Sequence, residues 1–185
     1  VLEPDEIFYL RSTGNLSIGG TAIDMTDLER AELLDKTGWV PDFDWSALKT
    51  LAGFMRVYEC SPGITIFREG DPGYFMMLVV SGSVKVLKEG DDGYDHVIAE
   101  LFAAAPVGEM TLVDGENRSA SIVTGRDTQI LSMTNDSFEA LGRHHPRIWG
   151  QILQKIAGLL SARLRKTSED LVDVIAATGF DDERY

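Results

Sequence analysis

The chain has 185 residues, of which 44% are hydrophobic, and carries a formal net charge of −13 at pH 7. This length and composition allow one well-packed domain with extensions. The excess of negative charge disfavours nonspecific binding to nucleic acids and to anionic membranes, so an anionic ligand must be held by local donors.

The sequence contains no pattern typical of export or membrane insertion. Its single cysteine, Cys60, cannot form an intrachain disulfide, and no N-terminal segment joins a basic start to an apolar run. The longest apolar stretches, such as 75–80, are too short to cross a bilayer. We therefore expect a cytoplasmic protein without a membrane partner.

Residues 1–43 are predicted to form an N-terminal arm followed by a helix. The arm shows no reliable periodicity, but Thr26 can cap a helix that runs from Asp27 to about Lys36. Glu29 stands three residues after Thr26, where a capping box places its carboxylate. We expect the helix to begin immediately after Thr26.

Residues 44–145 are predicted to form the main domain. After a short helix over 45–51, runs rich in Val, Ile, Phe and Tyr alternate with turn-forming segments. These segments are Ser61-Pro62-Gly63, Asp71-Pro72-Gly73, Ser81-Gly82 and Gly90-Asp91-Asp92-Gly93. The pattern predicts about eight antiparallel strands, a number that fits a two-sheet jelly roll. The expected fold is therefore mainly β with flanking α-helices: an eight-stranded antiparallel β jelly roll, or double-stranded β-helix, with N-terminal helices and a long C-terminal helix.

Residues 146–185 are predicted to form C-terminal helices and an acidic tail. Pro146 suits the first turn of a long helix that ends near Lys166, and Ser168 can cap a further short helix. An apolar stripe runs along the long helix and needs a partner surface. Its members are Trp149, Ile152, Ile156 and Leu159.

A carboxylate and a guanidinium flank one short loop. Gly108-Glu109 is followed by eight residues and then by Arg118-Ser119-Ala120. The guanidinium can grip a phosphate at two oxygens, whereas the carboxylate can accept hydrogen bonds from a ribose hydroxyl pair. The spacing predicts either a pocket for a nucleotide with an exposed sugar or a structural ion pair between Glu109 and Arg118 that binds nothing.

The surrounding residues resemble a known family. The segment 108–122 resembles the phosphate-binding cassette of the cyclic nucleotide-binding domain family, and the runs 63–75 and 79–86 resemble its glycine-punctuated strands. The likeness covers roughly 44–165. It implies a sensor or regulatory domain that binds cAMP more readily than cGMP, needs no cofactor, and signals by ligand-driven repositioning of its C-terminal helices.

The resemblance also implies the roles of residues in the cassette, here 107–122. Arg118 would anchor the phosphate and Glu109 would accept the ribose 2′-hydroxyl. The full set of implied ligand contacts is Gly108, Glu109, Met110, Thr111, Arg118, Ser119 and Ala120. Thr111 stands where relatives often carry alanine, and Ser119 alone does not separate cAMP from cGMP.

Trp149 has two interpretations. In the family a side chain on the helix after the barrel covers the base, so Trp149 is a possible base lid, but large aromatic side chains more often pack in the core. The same helix can form a homodimer seam, as in related bacterial regulators, or bind another protein partner. The alternative function is a ligand-free jelly-roll interaction module with a structural Glu109–Arg118 ion pair.

Other chemistry is not expected. Neither His144-His145 nor the acidic turn 91–96 has a matching element elsewhere that would complete a metal site. Cys60 has no assigned base, and no serine lies in a nucleophile elbow, so we expect no enzyme activity. The acidic tail makes a poor DNA reader, so we expect no nucleic acid partner.

Overall fold

Two antiparallel sheets and five helices make up the described part of the chain, which in this computed structural model is residues 18–178. The strands are β1 Thr21–Ile23, β2 Arg56–Cys60, β3 Thr65–Phe67, β4 Phe75–Ser81, β5 Ser83–Glu89, β6 Asp95–Phe102, β7 Pro106–Val107, β8 Ser121–Thr124 and β9 Thr128–Thr134. The helices are α1 Asp27–Thr37, α2 Trp45–Gly53, α3 Glu109–Asp114, α4 Asn135–His144 and α5 Pro146–Thr178.

The strands of residues 18–178 form the predicted two-sheet jelly roll but number nine rather than eight, because β1 lies within the predicted N-terminal region. One sheet has the order β1-β2-β9-β4-β7 and the other the order β3-β8-β5-β6, with antiparallel neighbours throughout. Successive strands such as β2 and β3, or β4 and β5, lie in different sheets, so the chain passes repeatedly between the two layers. The mainly β fold with flanking helices and a long C-terminal helix is confirmed.

The end of the predicted arm contains a strand that its sequence did not predict. Thr21–Ile23 pairs with β2, and the side chain of Ile18 is fully buried. Backbone pairing supplies the order here, which explains why the side-chain pattern gave no signal. The rest of the arm, 1–17, lies outside the described residues.

Two apolar cores lie on the two sides of the five-stranded sheet. The core between the sheets includes Tyr58, Met77, Val79, Val84 and Ile130. The core between the five-stranded sheet and the helices includes Leu34, Leu51, Met76, Leu131, Leu141, Ile152 and Ile156. The second core fixes α5 against the barrel.

Local capping determines where α1 begins, as predicted. The Thr26 side chain accepts a hydrogen bond from the Glu29 amide, and the Glu29 carboxylate accepts one from the Thr26 amide at 2.8 Å. This capping box satisfies two of the free amides at the helix start. Gly38 then ends the helix in the left-handed conformation.

Residues 146–178 form one helix rather than the two predicted, and the last part of the predicted acidic tail, 179–185, lies outside the described residues. Helix α5 continues unbroken for 33 residues, and the Ser168 hydroxyl donates to the Leu164 carbonyl at 2.9 Å. A serine that bonds back to the preceding turn is compatible with the interior of a helix, so Ser168 is not a cap here. No helix among residues 18–178 is both long enough and apolar enough to span a membrane.

Candidate functional site

The cassette connects the two sheets through a short helix. Gly108 precedes α3 with a φ of 74°, a left-handed conformation that favours glycine. A Cβ on Gly108 would lie 2.4 Å from Nη1 of Arg118. The glycine is therefore needed for close packing of the arginine as well as for the backbone turn.

The loop between β3 and β4 holds the far end of the cassette. The Arg118 amide donates to the Asp71 carbonyl at 2.8 Å, and the Gly70 amide donates to the Arg118 carbonyl at 2.9 Å. A Cβ on Gly73 would lie only 2.0 Å from Cγ2 of Thr111, so this loop packs directly on α3. These contacts fix the backbone from which the Arg118 side chain projects.

The Arg118 guanidinium is buried, and no carboxylate among residues 18–178 forms an ion pair with it. Arg118 is 3% exposed. Its Nη1 donates to the Gly108 carbonyl at 3.1 Å, and its Nη2 donates to the Phe75 carbonyl at 2.7 Å. Within the described residues no ion pair includes Arg118, and its buried Nε has no hydrogen-bond partner. An anion that binds here would accept a hydrogen bond from this Nε and would balance the buried positive charge.

Burial lowers the pKa of the Arg118 guanidinium to about 10, although the negative charges of Asp71 and Glu109 act to raise it. Loss of hydration disfavours the charged form, and nearby carboxylates favour it. The side chain still carries its positive charge at neutral pH.

Glu109 pairs with a residue that the sequence did not reveal. Its carboxylate is 1% exposed, and Oε1 accepts a hydrogen bond from Nη1 of Arg163 at 2.5 Å. Nη2 of Arg163 donates to the Pro106 carbonyl at 3.0 Å. Burial raises the pKa of the Glu109 carboxyl, and the charge of Arg163 opposes the rise.

The predicted structural ion pair between Glu109 and Arg118 is wrong for this structure. Arg118 turns towards two backbone carbonyls, and Arg163 reaches Glu109 from α5 instead. One sequence signal could have identified Arg163. It lies seven residues after Ile156 and four after Leu159, so it is a charge placed on the apolar stripe of the helix.

The remaining predicted contacts lie in the same loop. Thr111 is 4% exposed, and its hydroxyl accepts a hydrogen bond from Nη1 of Arg118 at 3.4 Å. Met110 and Ser119 are exposed and touch each other, with the Ser119 hydroxyl 3.6 Å from the Met110 sulfur. Ala120 is half-buried. The fold therefore brings the predicted set together around Arg118.

Trp149 packs in the helical core in this structure. Its ring centroid lies 5.8 Å from that of Phe138, and its ring atoms lie 3.3 Å from the place where a Cβ on Gly142 would be. These contacts join α4 to α5. The packing interpretation describes this arrangement, and the base-lid role stays a prediction.

An open cleft of about 650 Å³ lies between 38–43 and α5. Its charged lining residues are Asp42 and Lys155, and Pro106, which directly precedes the cassette, also lines it. Among residues 18–178 no group of three or more His, Cys, Asp or Glu side chains converges to hold a metal ion. The cassette is therefore the place where buried charge points to a ligand.

Comparison with known proteins finds a similarity to one domain family. Residues 58–145 match the family model described as the cyclic nucleotide-binding domain, and this segment includes the cassette. Residues 58–145 are therefore similar to the cyclic nucleotide-binding domain. The domain boundaries at 44 and 145 stay predictions.

Relatives include two bacterial regulators. The chain is 28% identical over 144 residues to the CRP-like cAMP-activated global transcriptional regulator of Mycobacterium tuberculosis (strain CDC 1551 / Oshkosh), covering 78% of this chain and 62% of the relative. It is 35% identical over 109 residues to the cyclic AMP receptor protein of Thermus thermophilus, covering 59% of this chain and 49% of the relative. The chain thus spans about three fifths of the length of the Mycobacterium relative and about half of the length of the Thermus relative.

A solved structure agrees over most of both chains. The cyclic nucleotide-binding domain from Methylobacillus flagellatus superposes with a TM-score of 0.75 at 27% identity, covering 83% of this chain and 88% of that chain. The name of the Mycobacterium relative, a transcriptional regulator, counts against the expectation of no nucleic acid partner. That expectation stays a prediction for this chain.

Proposed function

We propose that the cassette binds a cyclic nucleotide, with cAMP preferred to cGMP, and that the domain is a sensor which passes the occupancy of this site to α5. The observation that carries the proposal is the buried Arg118 guanidinium, whose Nε has no partner among the described residues. A buried cation without a counterion is costly, and a phosphate oxygen relieves that cost.

The charge of the site suits a cyclic phosphodiester. Such a group carries one negative charge, which matches the one guanidinium of Arg118. The Glu109 carboxylate, whose charge acts on Arg118, already has its own cation in Arg163. A phosphate monoester such as 5′-AMP would bring a second negative charge close to Glu109, and we expect it to bind more weakly.

The preference for cAMP rests on the relatives. Ser119 can contact either base, because a hydroxyl both donates and accepts. The two bacterial relatives are named as a cAMP-activated regulator and a cyclic AMP receptor protein. We extend this ligand to the present chain, and titration with both nucleotides separates the two choices.

We propose that ligand binding is communicated to α5 through Glu109. A ribose hydroxyl that donates to this carboxylate would share it with Arg163, whose side chain projects from α5. Ligand binding would then change the contact that holds this part of α5 to the cassette. The shift is limited by the difference in ligand affinity between the two helix positions.

The proposed partner of α5 is a second copy of the chain. Leu160, Leu164 and Leu171 follow the four- and seven-residue spacing of a coiled-coil seam, and the last two are 69% and 58% exposed. A parallel pair of α5 helices would bury this seam. The α5 helices of the two copies would then form one shared interface that responds to ligand binding in either copy.

Calorimetric titration of the full chain with cAMP and cGMP tests the proposal. We expect binding of both, tighter for cAMP, and about a hundredfold weaker binding of cAMP by Arg118→Ala, because charge-assisted hydrogen bonds are lost. Arg126→Ala is the matched control, since that side chain is 60% exposed and lies outside the cassette. Absence of heat and of thermal stabilisation with both nucleotides would refute the proposal and favour an interaction module.

A further inference from the structure

Two aromatic rings from outside the cassette lie against the Arg118 guanidinium. Its Cζ atom is 3.9 Å from the ring centroid of Phe67 and 4.7 Å from that of Phe75. The two rings meet edge to face, with centroids 5.9 Å apart and an interplanar angle of 75°. One face of the cation is therefore covered by an aromatic side chain of β3.

Different groups fix the guanidinium in different directions. The carbonyls of Gly108 and Phe75 accept hydrogen bonds from Nη1 and Nη2, which sets the position within the plane of the group. The Phe67 ring restricts movement out of that plane. Together they leave the Nε edge, which has no partner among the described residues, as the edge available to an anion.

A ring orients an arginine without neutralising it. The face of an aromatic ring attracts a desolvated cation, but it brings no net negative charge. A carboxylate in the same place would also orient the guanidinium, and it would compete with a phosphate for the positive charge. Phe67 therefore orients Arg118 and leaves its positive charge available to the phosphate of the ligand.

An irregularity in β3 aims Phe67 at the site. Thr65 pairs with Val123, whereas Phe67 pairs with Ile122, so two steps along β3 correspond to one step along β8. Such a bulge re-aims the side chains that follow it. The position of the Phe67 ring thus depends on strand pairing outside the cassette.

We propose that Phe67 is a positioning residue for ligand binding, which holds Arg118 in its phosphate-binding orientation before the ligand arrives. The inference rests on the proposed function, because it concerns the same phosphate. Phe67 acts through Arg118 and need not touch the ligand. The Phe75 ring supports Phe67 from the side.

Titration of the full chain with cAMP tests this role. Phe67→Leu keeps an apolar side chain but removes the ring, and we expect the dissociation constant to rise about tenfold. Phe67→Tyr keeps the ring and is expected to bind within about twofold of the wild type. Phe102→Leu is the matched control, because the Phe102 ring lies 5.4 Å from Cζ of Arg126, and binding should not change.

A nuclear magnetic resonance measurement on the ligand-free protein tests the positioning step by itself. The Nε–H signal of Arg118, identified by its loss in Arg118→Lys, should be displaced by the ring current of Phe67 in the wild type and in Phe67→Tyr. It should move towards an ordinary position in Phe67→Leu, where the Phe75 ring, 4.7 Å from Cζ, still contributes. If Phe67→Leu does not fold, the spectra of the wild type and Phe67→Tyr still decide.

The outcomes separate the two proposals. A wild type that binds cAMP, with Phe67→Leu binding as well as Phe102→Leu does, overturns the role of Phe67 and leaves the proposed function standing. An ordinary Arg118 signal in the ligand-free wild type also overturns it. A wild type that binds neither cyclic nucleotide overturns both proposals.

Discussion

The two halves of α5 differ in how they are held. In the first half, 146–160, Ile152 and Ile156 are fully buried against the barrel and α4. In the second half, 161–177, every side chain is exposed except that of Arg163, which is partly buried. Arg163 lies at the boundary, where its guanidinium contacts Glu109 and Pro106.

This difference in burial indicates that the two halves of α5 have different roles. Burial of the first half stabilises the fold, whereas the second half extends for about 25 Å with side chains that are exposed apart from that of Arg163. A helix of this length is marginal in water by itself, which favours a partner for its exposed leucines. The residue at the boundary is then well placed to link the cassette to that partner.

The largest expected effect comes from the buried half. Ile152→Ala removes methyl groups from a fully buried position and should lower the free energy of unfolding by about 2–5 kcal/mol. Val172→Ala, at a 63% exposed position of the other half, should change it by less than about 0.5 kcal/mol. Chemical denaturation measures both, and equal losses would remove the distinction between the halves.

The boundary contact should have an intermediate effect. Arg163→Ala leaves the Glu109 carboxylate buried without its cation, which should cost about 1–3 kcal/mol of unfolding free energy. Arg165→Ala is the matched control on the same helix, because that side chain is exposed. If the two variants are equally stable, the contact between Arg163 and Glu109 does not stabilise this part of the molecule.

Glu109 should make stability depend on pH in a defined direction. Its pKa is raised above the ordinary 4.5, so the folded protein keeps this proton where the unfolded chain has released it. The contribution of Glu109 to the unfolding free energy therefore falls as pH rises from 4.5 through the raised pKa, and is constant above it.

Glu109→Gln removes this dependence while keeping the size of the side chain. The unfolding free energy of the wild type, relative to that of the variant, should increase as pH is lowered from neutrality towards 4.5. Denaturation curves at several pH values measure the difference. A difference that decreases over this range would contradict the raised pKa.

The smallest effect on the fold is expected from the exposed seam. Leu171→Asp should change the unfolding free energy of the monomer by less than about 0.5 kcal/mol, because the side chain is exposed. It should nevertheless abolish self-association measured by analytical ultracentrifugation, whereas Val172→Asp, off the seam, should preserve it. A wild type that stays monomeric would exclude the homodimer.

Features encoded in neighbouring residues were predictable from sequence. Thr26 and Glu29 define the start of α1, and the glycine-rich turns define the strands of the jelly roll. The cassette was also visible, because Glu109 and Arg118 lie on one loop. These features depend on short stretches of chain.

Contacts between distant residues were not predictable in the same way. Arg163 and Glu109 are 54 residues apart, and their pairing depends on how α5 packs on the barrel. Phe67 meets Arg118 through the irregular pairing of β3 with β8. The sequence shows the charged and aromatic residues, but only the fold determines which of them become partners.

The central claim is that a cyclic nucleotide binds the cassette and that α5 responds through Arg163. Hydrogen exchange of the full chain, measured with and without saturating cAMP, tests it most directly. We predict slower exchange over 107–122 in the wild type together with altered exchange in 161–177, and only the first change in Arg163→Ala. Unchanged exchange over 107–122 with both cAMP and cGMP would contradict the account.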